Sequence, residues 1–205
     1  MKKVILSLVA VATILVSCKG KEDKKVVVKE ATKVEKVVVE NNVNVAESLM
    51  LWKGFKPTGS HNGTVKLSSG AMSVSNGVIT GEFVIDMNSI TDADGSTRLE
   101  GHLKNADFFD VEKYPTSKFV ITSSEVKEGK VQVTGNLTIK DVTKSITIPA
   151  TVTEVEGVVT FKSETFELNR ADFNVKYGSK TFFGNLKDKF INDNMEMSFE
   201  VKGTK

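Results

Sequence analysis

From Leu49 onward, apolar residues recur two apart, and the runs are separated by clusters of Gly, Asn and Ser. That grammar predicts short antiparallel strands. Gly63, Val65 and Leu67 share one parity, and Met72 and Val74 follow beyond Ser69-Gly70. Asn76-Gly77 predicts a hairpin turn, because both residues accept positive φ. The returning strand, Ile79 to Asp86, sets Ile79, Phe83 and Ile85 against Thr80, Glu82 and Asp86, so one face is dry. Phe119 and Ile121, then Val131, Val133, Leu137 and Ile139, then Ile146, Ile148, Ala150 and Val152 repeat the alternation. Turns are predicted at Glu128-Gly129, Asp141 to Lys144 and Glu156-Gly157. Phe161 and Phe166 are an odd number of residues apart, which predicts a bulge near Ser163 to Thr165. The last strand carries Met195, Met197, Phe199 and Val201 on one side, and the first places Leu49, Leu51 and Phe55 opposite Trp52.

The alternation breaks twice. Leu99, Leu103 and Ala106 fall at i, i+4 and i+7, one face of a short helix that Phe109 extends. Tyr114-Pro115 forces extended backbone at Tyr114, and a strand resumes near Lys118. Residues 181–192 predict a second short helix from about Asn185. About eight strands and two short helices fit an all-β fold, a closed antiparallel barrel, better than an open sheet, since closure leaves no edge exposed. Phe108 and Phe109 then sit at the helix end, where they can plug the barrel mouth.

The first 48 residues follow other rules. Lys2-Lys3, an apolar run from Val4 to Val16 and the ending Leu15-Val16-Ser17-Cys18 have the layout of a signal peptide, residues 1–17. The run is shorter than the roughly 20 residues a membrane-spanning helix needs. Leu-x-Ser-Cys resembles the lipobox of bacterial lipoproteins, in which the new terminal cysteine is acylated. Cys18 is therefore the expected lipid anchor, and the protein is expected in the cell envelope, on the periplasmic face or at the outer-membrane surface. Lys21-Glu22-Asp23 resembles a surface-export signal of some lipoproteins. Residues 19–48 are dominated by Lys, Glu, Val and Asn, which predicts that segment 18–48 is a charged flexible linker behind the acylated cysteine. The folded domain is expected at 49–205.

Composition narrows the chemistry. The chain has 28 basic and 26 acidic residues, and loss of the leader with Lys2 and Lys3 leaves 26 of each, so nothing favours nucleic acid. Cys18 is the single cysteine, which excludes an internal disulfide framework. The mature domain has no thiol, no paired-His spacing, no phosphate loop and no Gly-x-Ser-x-Gly elbow, and so reads as a non-enzyme without a cofactor. Its two imidazoles, His61 and His102, would bind a metal only by meeting in space with Glu100 or Asp110. A lone histidine in a turn or helix is more often a plain polar residue.

Residues 98–119, with Gly-Asn-Leu-Thr-Ile-Lys-Asp-Val-Thr-Lys at 135–144, resemble the YceI-like family, and Arg170-Ala-Asp-Phe173 resembles another of its motifs. Leu51-Trp52-Lys53-Gly54 and His61-Asn62-Gly63 depart from the commoner opening of that family. The resemblance implies a small lipocalin-like antiparallel barrel that holds a polyisoprenoid or other long-chain lipid. Strand parity supplies the candidate lining: Phe83, Ile85, Phe119, Ile121, Leu137, Ile139, Ile148, Phe166, Met197 and Phe199, with Phe108 and Phe109 at the mouth. The competing expectation is a surface interaction lipoprotein with a filled barrel and partner-binding outer loops, and parity alone does not separate the two. The oligomeric state, monomer or dimer, stays open.

Overall fold

The computed structural model describes residues 24–32, 42–127 and 129–204. In chain order these form β1 (Val28–Glu30), β2 (Leu49–Lys56), β3 (Gly59–Ser75), β4 (Val78–Asp92), α1 (Thr97–Lys104), β5 (Thr116–Lys127), β6 (Lys130–Ile139), β7 (Val142–Val155), β8 (Val158–Ser163), β9 (Phe166–Asn169) and β10 (Asn194–Thr204). Strands β2 to β8 pair antiparallel in sequence order. β10 then pairs with both β2 and β8, which closes an eight-stranded ring. The expected signal peptide and Cys18 lie outside the described residues, as does Glu128.

Tight turns set the register. Asn76 and Gly77 have φ of +52° and +77°, and Glu156 and Gly157 +51° and +78°. Positive φ at both central residues twists a hairpin in the same sense as its strands. The β6–β7 turn uses Lys140 and Asp141, at +49° and +60°, rather than the later residues Asp141 to Lys144. These turns divide the barrel into two ends. One end carries the β3–β4, β5–β6 and β7–β8 hairpins. The other carries α1, the 105–115 loop, the β6–β7 turn and the long 174–193 segment.

α1 is shorter than its periodicity predicts. The Ser96 hydroxyl caps it by accepting the Leu99 N–H, and the chain turns extended at Asn105, so Ala106 and Phe109 follow the helix in a turn. Only Leu103 is buried on it, with Leu99 half-buried. Tyr114-Pro115 does restart a strand, at Thr116. The second helix expected from Asn185 is a single 3-10 turn, Lys187–Lys189, with no buried residue. Lys-Asp-Lys has no apolar face to dock, and a short helix without tertiary packing does not hold. Arg170–Phe173 forms another such turn, capped by the Asn169 side chain on Ala171 N–H.

The expected bulge opens the seam of the barrel. Phe161 and Ser163 are buried, the chain slips across Glu164 and Thr165, and Phe166 and Leu168 are buried on the opposite parity. The Ser163 hydroxyl accepts the Phe199 N–H at 2.9 Å across the slip. Beyond it β9 stays with β10 but leaves β7. The N-terminal segment takes the vacated place. Val26 N–H donates to Glu167 O (3.1 Å), Glu167 N–H donates to Lys24 O (2.7 Å), and β1 pairs with β7 through Val28 opposite Ile146.

This corrects the expectation of a flexible linker throughout 18–48. Residues 24–32 and 42–48 lie against the barrel: Val26 is buried, Thr32 N–H donates to Asn136 Oδ1, and Asn42 bonds Met72 N–H and C=O with its side-chain amide. Two strand edges left bare by the bulge can satisfy the backbone of a β-branched segment, while its interleaved charges face water. The sequence shows the charges but not the vacancy. Val26→Ala should therefore lower stability by about 1–2 kcal/mol, at ~0.8 kcal/mol per buried carbon removed. Denaturant midpoints measure it, and an unchanged midpoint would mean that the segment does not hold the seam.

An apolar cavity as the candidate functional site

The interior is apolar but not uniformly filled. Towards the hairpin end Met72, Ile79, Ile121, Val131, Val133 and Val159 are all buried, and none of them lines the cavity described next. Towards the helix end the inward side chains stand back from the axis around a cavity of about 410 Å³. That falls within the range of small-molecule pockets, roughly 300–1,000 Å³.

Of the residues that parity placed inside, Phe83, Ile85, Phe119, Leu137, Ile139, Ile148, Phe166, Met197 and Phe199 line this cavity. Ile121 does not. It is buried, but two positions nearer the hairpin end than Phe119, in the filled half. Parity fixes the face of a strand and says nothing about height along the barrel. On β2, Leu49 and Leu51 lie opposite Trp52 as expected, and theirs is the exposed face, while Met50 and Trp52 line the cavity; Phe55, expected with the leucines, lines it too. Trp52 Nε1–H donates to Thr91 O at 3.2 Å, which satisfies the one polar atom of that ring.

Aromatic rings shape the inner wall. Phe161 packs edge-on to Phe199 with centroids 4.8 Å apart, and against Phe83 at 5.9 Å. Phe119 lies over Gly135, where a Cβ would come within 2.5 Å of its ring. A glycine on β6 is therefore the condition for that ring position.

The mouth is a second aromatic group. Phe108 is buried and Phe109 half-buried on the turn that follows α1; the rings meet edge-on at 5.0 Å, and both line the cavity. His102 on α1 stacks edge-on with Tyr177 at 4.5 Å and with Phe108 at 5.9 Å. Lys140 Nζ donates to Phe108 O at 2.7 Å and ties this turn to the β6–β7 turn.

Arg170 joins the two walls of the mouth. It is 2% exposed, lies over the Phe108 ring at 5.5 Å and borders the cavity. Nε donates to Asn192 O (3.1 Å), one terminal nitrogen to Val175 O (2.8 Å) and the other to Ile191 O (3.1 Å), with Asp193 Oδ1 at 3.3 Å from the latter. Burial pushes the guanidinium pKa down and Asp193 pushes it back up; arginine stays charged regardless. The Arg170 motif was recognisable in the sequence, but its role as the clamp on the 174–193 segment was not, because its partners are backbone carbonyls.

Among the described residues no acidic side chain lines the cavity, whereas Lys56, Arg170 and Lys189 border it, with His61 and His102. The two histidines do not share a carboxylate. His61 Nδ1 faces Asp92 at 3.7 Å, and His102 Nε2 faces Asp107 at 3.4 Å. Glu100, proposed as a common ligand, accepts the Asp92 N–H instead, at 2.9 Å. Asp110 is at positive φ in the turn after α1, where its carbonyl accepts Lys113 and Tyr114 N–H. A shared two-histidine metal site is thus not what the fold builds.

Residues 27–203 match the family model of the YceI-like domain. A UPF0312 protein of Pseudomonas putida strain F1 is 36% identical over 99 residues, 45% of this chain and 51% of that protein. The YceI protein of Escherichia coli O6:H1 is 33% identical over 66 residues, 32% of this chain and 35% of that one. The chain thus spans about half or less of the curated relatives it matches. Among solved structures, Burkholderia cenocepacia BcnA superposes with a TM-score of 0.67 at 24% identity, over 80% of this chain and all of that one. A polyisoprenoid binding domain from Saccharophagus degradans, implicated in plant cell wall breakdown, gives 0.63 at 16% identity, over 82% and 99%. At these identities the two structures share the fold.

Proposed function

We propose, from the premise that this chain belongs to the YceI-like domain family, that it binds a long apolar ligand, a polyisoprenoid or similar lipid, within its barrel and catalyses no reaction. The observation that carries the reading is the cavity: about 410 Å³ lined mainly by aliphatic and aromatic side chains, in a barrel whose other half is filled. A domain that needed only stability has no reason to leave that half open, since close packing is the favourable state of an interior. Hydrocarbon moved from water into such a space gains about 25 cal/mol per Å², so each 100 Å² contributes about 2.5 kcal/mol. The Saccharophagus degradans domain of the same fold is a polyisoprenoid binder, which supports the same ligand class here.

The ligand enters at the helix end in this reading. Phe108, Phe109 and Tyr177 offer a hydrocarbon chain a path of rings, and Lys56, Arg170 and Lys189 keep the border polar. Phe83, Ile85, Phe119, Leu137, Ile139, Ile148, Phe166, Met197 and Phe199 form the contact wall. Uptake of a fluorescent long-chain polyene by delipidated protein tests this directly. Saturable binding near one per chain is expected; fluorescence that rises linearly without saturation would refute it.

Cys18 places this cavity at a membrane, as the acylated terminus of a cell-envelope lipoprotein on the periplasmic face or outer surface. Val26, eight positions after Cys18 in the sequence, is docked on the barrel. Cys18→Ser should shift the protein from the membrane fraction to the soluble fraction. Retention of the variant on membranes after a carbonate wash would sink the anchor.

A further inference from the structure

Asp92 ends β4 at the point where the chain leaves the barrel for α1, and it is 5% exposed. Its Oδ2 accepts the Ser96 N–H at 3.2 Å. Its Oδ1 is buried and has no hydrogen-bond partner. The nearest candidate is Nδ1 of His61, also buried and also without a hydrogen bond, at 3.7 Å. That separation is too long for a hydrogen bond. Two polar atoms thus face each other unserved, although buried polar groups are ordinarily paired. The carboxylate of Asp94 is the third member of the group, with one ligand atom from each residue within 4.8 Å of the others.

We propose that His61, Asp92 and Asp94 bind a divalent transition-metal ion, Zn²⁺ being the best fit, at the edge of the cavity mouth. Zinc takes nitrogen and carboxylate oxygen at about 2.0–2.2 Å, so donors on one ion stand roughly 3.3–4 Å apart. The His61–Asp92 gap of 3.7 Å has that width. Asp94 is exposed and closes on the ion by rotation about its side chain. A mixed imidazole and carboxylate set selects against Ca²⁺ and Mg²⁺, which take oxygen. Two carboxylates and a neutral imidazole also balance the charge of a divalent ion.

The supports of the site are those a metal ligand needs. Asp92 is held on its own backbone by Glu100, which accepts its N–H (2.9 Å), and by Gly95, whose N–H donates to its carbonyl (3.0 Å) with φ at +70°. Ala93 N–H donates to Asn62 O at 2.8 Å, which fixes the loop beside His61. The Ser96 N–H on Asp92 Oδ2 is the partner of the ligating carboxylate itself, the kind of outer contact that orients a metal ligand. Three protein ligands leave a fourth position for water or an incoming donor. His61 also borders the cavity, so that position lies next to the mouth.

The test is a titration of the full chain with ZnCl₂, followed through imidazole resonances by NMR and by calorimetry. The chain has only two histidines, so each ring is read separately and Cys18 does not enter the spectrum. The proposal expects the His61 signals to move to completion at one equivalent while those of His102 stay in place. It expects His61→Ala to lower the affinity at least tenfold. Asp94→Asn, at an exposed position, should weaken binding without unfolding the protein, which circular dichroism checks. Unmoved His61 signals at stoichiometric zinc, or equal drift of both rings only at millimolar zinc, would overturn it.

Discussion

Leu137→Trp is expected to abolish lipid uptake while changing stability by less than about 1 kcal/mol, the scale of substitutions that meet no packed neighbour. Ile121→Trp is expected to do the reverse. Leu137 borders the cavity from β6, so an indole there grows into open space and occupies the place of the ligand. Ile121 is buried on the neighbouring strand β5, outside the cavity border and on the filled side of Phe119. Extra volume at such a site costs roughly 1–3 kcal/mol, and more when the surroundings cannot shift. Thermal melting and polyene uptake on the same delipidated samples separate the two effects. Strong destabilisation by Leu137→Trp would show that the cavity walls collapse without ligand.

Arg170→Met is expected to have the larger effect on the fold. The guanidinium holds the carbonyls of Val175, Ile191 and Asn192 and faces Asp193, whose Oδ1 has no hydrogen bond of its own and whose Oδ2 accepts from Thr181 Oγ1 at 2.8 Å. Methionine fills much of the volume but leaves a largely buried carboxylate without its cation. Breaking one side of a buried pair typically costs about 3–5 kcal/mol. The loss should concentrate in the 174–193 segment. Hydrogen exchange should therefore speed first at the Ile191 amide, whose N–H donates to Gly178 O at 2.8 Å. A midpoint within about 1 kcal/mol of wild type would mean that the segment is held by other contacts.

Much of the barrel could be read from the chain, and the reasons are local. Alternation at Ile79, Phe83 and Ile85 or at Met195, Met197 and Phe199 is a direct record of which face meets the core. The odd spacing of Phe161 and Phe166 likewise recorded the bulge, because an unbroken strand would put the two rings on opposite faces. What escaped the sequence was set by distant parts of the chain. Val26 looks like one valine of a charged run until β7 and β9 separate and leave it a dry slot. Ile121 and Phe119 have the same parity, yet one supports the floor and the other the wall. Met50 and Trp52 share their strand with apolar neighbours on both faces, so alternation there gave no direction. Asp92 looked like one of many acidic turn residues. Its burial beside His61 follows from the pairing of Gly63 with Asp92 across β3 and β4, a contact between residues 29 positions apart.

If the open half of the barrel exists to hold an apolar molecule, that molecule should accompany the protein through purification. Native mass spectrometry of the protein, purified gently from cells, is the decisive measurement. A population heavier than the lipid-free protein by one discrete lipid mass is expected, released by organic extraction and absent from the Leu137→Trp variant. A wild-type spectrum containing only lipid-free protein, from material that also fails to take up lipid after refolding, would contradict it.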